Sequence, residues 1–167
     1  MERVTYMIVN FCRILGFDNE KLIHIWRGAT FHDIGKVEIS DAILNKKEPL
    51  TDAEYEIIKQ YPILSKAIVK TINLLKDATP IPCSHLERWD GSGYPEGLSK
   101  DNIPLEARAF GIVDVYDALT SDRPYRKAWT HDDALLYIKE QSGKLFDPVL
   151  VEIFIKRIDD IVENTMT

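Results

Sequence analysis

Side chains able to hold a divalent cation recur at separated points of this sequence. The first are His32 and Asp33, inside FHDIGK (Phe31 to Lys36). An imidazole suits a transition metal, and a carboxylate can hold one ion or bridge two. Neighbours on a helix diverge by about 100°, but at a helix end the two side chains can turn toward one ion. Gly35 is expected to let the backbone leave that helix through a left-handed conformation. Lys36 then stands one step further on, placed to reach a phosphate. Taken alone, the pair is more simply a helix-terminal hydrogen bond.

His85 follows in SHLERWDGSGYP (Ser84 to Pro95). A lone histidine there would read as a satisfied polar group near the core. Asp90, Gly91, Gly93 and Pro95 form a tight loop whose glycines permit unusual backbone angles and close ligand approach. Next comes VDVYDALTSDRPYRKAW (Val113 to Trp129). Asp114 and Asp117 are three residues apart and share a helix face. Among Val113, Val115, Ala118 and Leu119, two carboxylates are costly to bury unless paired or bound to metal. Asp117 is the one expected to cap or to pair with an arginine. Arg123, Arg126 and Lys127 form a basic knot that can grip phosphate or can stand as a solvated loop.

Helices must position these groups. Val4, Met7, Ile8, Phe11, Ile14 and Leu15 recur at three- and four-residue steps, and Gly16 ends that helix. Asp18 or Asn19 caps a second helix carrying Leu22, Ile23, Ile25, Trp26 and Phe31. Thr51 and Glu54 form a capping box that opens a third. Pro62 suits the first turn of a fourth, with Leu64, Ala67, Ile68, Thr71, Ile72 and Leu75 on one face. A short helical segment holds His85 after Pro80 and Pro82. Asp90 to Pro104 reads as a long ordered loop, and such loops are usually functional. Further helices start at Pro104, Thr130 and Pro148. No strand pattern and no internal repeat is present. The expectation is an all-α, single helical bundle of seven or eight helices.

Composition agrees with a globular domain: 167 residues, 45% hydrophobic and 29% charged, a length that buries roughly 70% of the unfolded surface. A net charge of -6 argues against binding DNA, RNA or an anionic membrane, both of which want positive surface. No stretch approaches the ~20 apolar residues of a membrane span. Cys12 and Cys83 lie far apart in no CxxC pattern, so both are expected to be small buried groups in a reduced, cytoplasmic compartment.

Together these strings resemble the HD-GYP family, a bacterial branch of the HD metal-dependent phosphohydrolases. The resemblance runs from about Arg3 to Phe154 and rests on FHDIGK, the Leu50-Thr51 turn, ERWDGSGYP, IPLEARA, DVYDALTSDRPYR and FDP (Phe146 to Pro148). It implies an HD-type helical bundle over residues 1–167, with the N-terminus shortened relative to the family. It also implies a metal centre that hydrolyses cyclic di-GMP to pGpG or GMP. His32, Asp33, His85 and Asp114 match metal-ligand positions, with Asp33 and Lys36 in the catalytic group. Lys36, Arg123 and Arg126 match positions near the substrate phosphates. Gly93, Tyr94 and Pro95 match the naming motif, which with Asp90 and Gly91 is similar to a surface linked with diguanylate cyclase (GGDEF) partners.

Three departures accompany the match. Leu86 stands where the family has a second histidine, and leucine has no donor atom. Tyr61 stands where the family has another, and a neutral phenol with a pKa of about 10 is a poor ligand for a divalent ion. The family's first-helix histidine would precede residue 1. Two imidazoles and two carboxylates remain, enough for one six-coordinate Mn²⁺ or Fe²⁺. One or two ions are expected, and a third site looks lost. His24 is expected in the core or a groove, and His131 in solvent. Two readings stay open. One is a phosphodiesterase; the other is a degenerate module that binds cyclic di-GMP or a GGDEF partner without cleavage. Pairing into a homodimer is compatible with either.

Overall fold

The computed structural model describes residues 2–123 and 126–163. Among the described residues ten α-helices follow one another: α1 (Glu2–Ile14), α2 (Asn19–Thr30), α3 (Asp41–Leu44), α4 (Asp52–Ile58), α5 (Tyr61–Thr71), α6 (Pro80–Ser84), α7 (Leu105–Thr120), α8 (His131–Glu140), α9 (Pro148–Lys156) and α10 (Ile158–Val162). Short 3₁₀ turns cover Ile34–Glu38, Asn73–Ala78 and Lys100–Asn102. No strand occurs among the described residues, only isolated bridges such as Arg123 with Arg126. The all-α expectation holds, with more helices than the seven or eight expected. The additions are short: α3 is a single turn capped by Ser40, and α10 breaks from α9 at Arg157.

Several helix starts carry the caps that their sequences announce. Asp18 accepts from the Lys21 amide, and Thr130 accepts from the Asp133 amide. Thr51 and Glu54 satisfy each other reciprocally. Each such cap stabilises by about 1 kcal/mol. Gly16 closes α1 at φ +91°.

α7 is apolar around most of its circumference, burying Ala107, Ala109, Phe110, Ile112, Val113 and Tyr116. A helix of that kind belongs in the centre. It packs against α1, α6, α8 and α9. Phe154 of α9 meets Phe11 and Tyr116 edge-on, at ring separations of 5.4 and 5.6 Å. Asp114 projects from this central helix.

Two local expectations are corrected. Gly35 does not adopt a left-handed conformation; it lies inside the Ile34–Glu38 turn. Its necessity is steric, because a Cβ there would stand 2.1 Å from the Tyr61 carbonyl oxygen and 2.6 Å from the Ser65 amide. The buried face of α5 is also different. Tyr61, Pro62, Ser65 and Val69 are buried, whereas Ala67 and Thr71 are exposed. The turn after His32-Asp33 claims that face, and the Gly35 amide donates to the buried Ser65 Oγ at 2.9 Å.

Candidate metal centre

α2 ends at Thr30, and His32 and Asp33 lie in the turn that follows. His32 Nδ1 is 2.7 Å from the Ala29 carbonyl oxygen. A carbonyl only accepts, so Nδ1 carries a proton and Nε2 is the nitrogen left to face Asp33. That Nε2 stands 3.4 Å from Asp33 Oδ2. Lys36 Nζ donates to the same oxygen at 2.7 Å and lies over the Tyr61 ring at 5.0 Å. Burial pushes the Asp33 carboxyl upward, but His32 and then Lys36 hold it below its ordinary value.

His85 follows the last turn of α6. Its Nδ1–H donates to the Ile81 carbonyl at 2.9 Å, which in the neutral ring leaves the lone pair on Nε2. That atom meets the Tyr61 hydroxyl at 3.0 Å. Burial, with His32 adding to it, pushes the His85 imidazole down to about 4, so the ring is neutral. The two imidazoles lie edge to face with centroids 5.3 Å apart. Phe110, one helical turn before Asp114, packs against both at 5.0 and 5.7 Å.

Asp114 shares this setting. Burial raises its carboxyl, Asp33 and Asp117 add to the rise, and His32 opposes it. Asp117 is placed differently: it pairs with Arg3, as an arginine-bound aspartate should. A cleft of about 180 Å³ is lined by His85 and Asp114 together with Arg88, Trp89, Tyr94 and Arg108.

Four predicted ligands are therefore gathered, but not closed. Among the described residues no three His, Cys, Asp or Glu side chains stand ready to hold an ion. Lys36 occupies Asp33, and Tyr61 occupies His85. The donor set nevertheless fits a cation. Both histidines have Nδ1 fixed by a backbone carbonyl, the arrangement that directs Nε2 toward a metal. His32 Nε2 and Asp33 Oδ2 also face each other at 3.4 Å.

The loop after His85 is held from within. Asp90 accepts from the Ser92 amide at 2.9 Å, and Gly91 has φ +84°. A Cβ on Gly93 would stand 2.4 Å from the Arg88 amide. Glu87, which sequence reasoning passed over, is the loop's anchor. Its oxygens accept from the Glu96 and Leu98 amides at 2.8 and 3.0 Å. Burial raises its carboxyl, and these amides oppose the rise. The only signal was its place in the ERWDG string.

Arg123 and Arg126 exchange backbone hydrogen bonds around Pro124 and Tyr125, which lie outside the described residues. The Arg126 guanidinium turns onto the Ala118 carbonyl and the Trp129 ring. His24 keeps a buried Nδ1 without a hydrogen-bond partner. His131 is exposed but bonds the Tyr116 hydroxyl at 2.8 Å. Cys12 is buried and its thiol is pushed up by burial, while Cys83 is partly exposed.

Comparisons with known proteins extend this picture. A family profile described as HD domain matches residues 1–150. The chain is 39% identical over 158 residues to the cyclic di-GMP phosphodiesterase response regulator RpfG of Xanthomonas campestris pv. campestris, across 93% of this chain and 42% of that protein. It is 37% identical over 164 residues to a cyclic di-GMP phosphodiesterase of Thermotoga maritima, across 97% and 45%. A 3'3'-cGAMP-specific phosphodiesterase 2 of Vibrio cholerae is 32% identical, across 97% and 31%. In fold, the chain matches a crystal structure of a cyclic GMP-AMP specific phosphodiesterase of Vibrio cholerae (V-cGAP3) with a TM-score of 0.72. That match has 18% identity and covers 94% of this chain and 43% of the other. The chain spans less than half the length of each of these proteins.

Proposed function

The chain belongs to the HD domain family, and we propose that it is a metal-dependent phosphodiesterase acting on cyclic di-GMP or a related cyclic dinucleotide, with pGpG or GMP as product. One observation carries the reading. Two imidazoles with carbonyl-pinned Nδ1 atoms lie edge to face 5.3 Å apart, and His32 Nε2 stands 3.4 Å from Asp33 Oδ2, with Asp114 close enough to feel His32 and Asp33. The names of the relatives support the substrate class.

His32, Asp33, His85 and Asp114 would hold the ion. Mn²⁺ or Fe²⁺ suits two imidazoles and two carboxylates, in one or two sites. Bound there, such an ion supplies Lewis acidity and a nucleophile usable near neutral pH. Asp33 would orient the attacking water. Lys36, whose Nζ stands 2.7 Å from Asp33 Oδ2, would offset charge growing on the phosphoryl oxygens. Arg123 and Arg126 would contact substrate phosphates from the loop after α7. Asp90, Gly91, Gly93, Tyr94 and Pro95 would present the loop surface to a GGDEF-type partner or to a second copy. Residues 1–167 are read as one HD-GYP-like domain acting in the cytoplasm.

The test is a product assay. Purified chain with Mn²⁺ is incubated with cyclic di-GMP, and nucleotides are separated by chromatography. Accumulation of pGpG or GMP, lost in Asp33→Ala and in Lys36→Ala, is the expected result. Intact substrate after prolonged incubation with metal-loaded chain would contradict the proposal.

A further inference from the structure

Tyr61 opens α5 and is 4% exposed. Its hydroxyl lies 3.0 Å from His85 Nε2. His85 Nδ1–H is already committed to the Ile81 carbonyl, so Nε2 has only a lone pair and the phenol must be the donor. A metal would take that same lone pair. Burial, with Asp33 adding to it, pushes the phenol up, so it keeps its proton. The phenolic O–H therefore donates to a nitrogen read above as a ligand.

Resting on that reading of His85 as a ligand, we propose that the Tyr61 hydroxyl competes with the divalent ion for His85 Nε2 and so sets how tightly the ion is held. Ion capture requires the phenolic O–H to leave the imidazole. Tyr61 is here a positioning residue. It is not one that touches the reacting atoms. The ring itself stays fixed, because it is buried and has Lys36 Nζ 5.0 Å from its centroid. The consequence is a weaker and more exchangeable centre than the same four ligands would form beside an apolar neighbour.

The experiment is a Mn²⁺ binding titration followed by electron paramagnetic resonance of the free ion. It uses the unmodified chain, Tyr61→Phe, His85→Ala and the double variant. Losing one net hydrogen bond that competes with the metal should tighten binding about three- to tenfold in Tyr61→Phe. His85→Ala should bind more weakly, and adding Tyr61→Phe to it should change nothing further. If His85→Ala weakens binding but Tyr61→Phe leaves it equal or weaker, the competition is refuted while His85 remains a ligand. If His85→Ala leaves binding unchanged, it is the ligand reading that fails. A second readout needs no variant. Zn²⁺ added to the unmodified chain should shift the Tyr61 Cζ resonance in ¹³C-tyrosine spectra, and a Zn²⁺-loaded chain with that resonance unmoved overturns the proposal.

Discussion

His32 Nε2 faces Asp33 Oδ2 at 3.4 Å while the opposite nitrogen of the same ring donates to Ala29. Two cis ligands at about 2.1 Å from an octahedral ion stand roughly 3.0 Å apart, so a small movement would bring both onto one cation. This pair, next to each other in sequence, is the start of the proposed centre, which His85 and Asp114 would complete.

Metal should therefore stabilise the folded chain through Asp33. At an ion concentration 100 times the dissociation constant, the gain is about 2.7 kcal/mol, or about 5–10 °C in melting temperature for a chain of this size. Thermal melts with and without Mn²⁺ should show that rise in the unmodified chain and lose it in Asp33→Ala. An equal rise in both would place the ion elsewhere.

The close approach at Gly35 sets the geometry of the turn that carries His32 and Asp33. Gly35→Ala drives a Cβ into the Tyr61 carbonyl and the Ser65 amide, both backbone and neither free to yield. A loss of about 1–3 kcal/mol or more is expected, measured by urea unfolding. Stability unchanged within error would mean that the turn and α5 are not so tightly apposed.

Glu87 ties the 90–104 loop to the end of α6 through two amides. Hydrogen bonds to a charged group are worth about 1.5–3 kcal/mol, so Glu87→Ala should loosen the loop. Amide hydrogen exchange should speed up at Glu96 and Leu98, with the helical core little affected. Unaltered protection at both would assign the loop's order to other contacts.

The capping box gives a pH signature away from the centre. Lys46, then the Thr51 backbone and hydroxyl, hold the Glu54 carboxyl down at about 2, against an ordinary 4.5. A depressed carboxylate contributes stability above its unfolded value and loses it as the pH falls through the folded one. The melting-temperature gap between the unmodified chain and Glu54→Ala should thus be constant above about pH 5 and close between about 4.5 and 2. A gap still present at the acid end would refute the assignment.

Much of this was readable without coordinates because it is local. Capping at Asp18, Thr51 and Thr130 depends on neighbours within three residues, and Asp117 with its arginine follows from the cost of burying a bare carboxylate. What was not readable depends on long-range approach. Gly35 reads as a left-handed terminator until Tyr61 and Ser65 are seen against it. The α5 face was misassigned for the same reason, since apolar spacing does not announce a polar Ser65 facing a backbone amide. Tyr61 reads as a lost ligand, yet its role is defined by His85, 24 residues away. Glu87 gave little sign because its partners are amides, which carry no side-chain signature.

The central claim is that His32, Asp33, His85 and Asp114 close on one cation. The most direct measurement is anomalous diffraction from crystals grown with Mn²⁺. The account predicts a peak about 2.0–2.3 Å from His32 Nε2, an Asp33 oxygen, His85 Nε2 and an Asp114 oxygen, with Tyr61 released from His85. A peak held by other residues, or none at these four under saturating Mn²⁺, would contradict it.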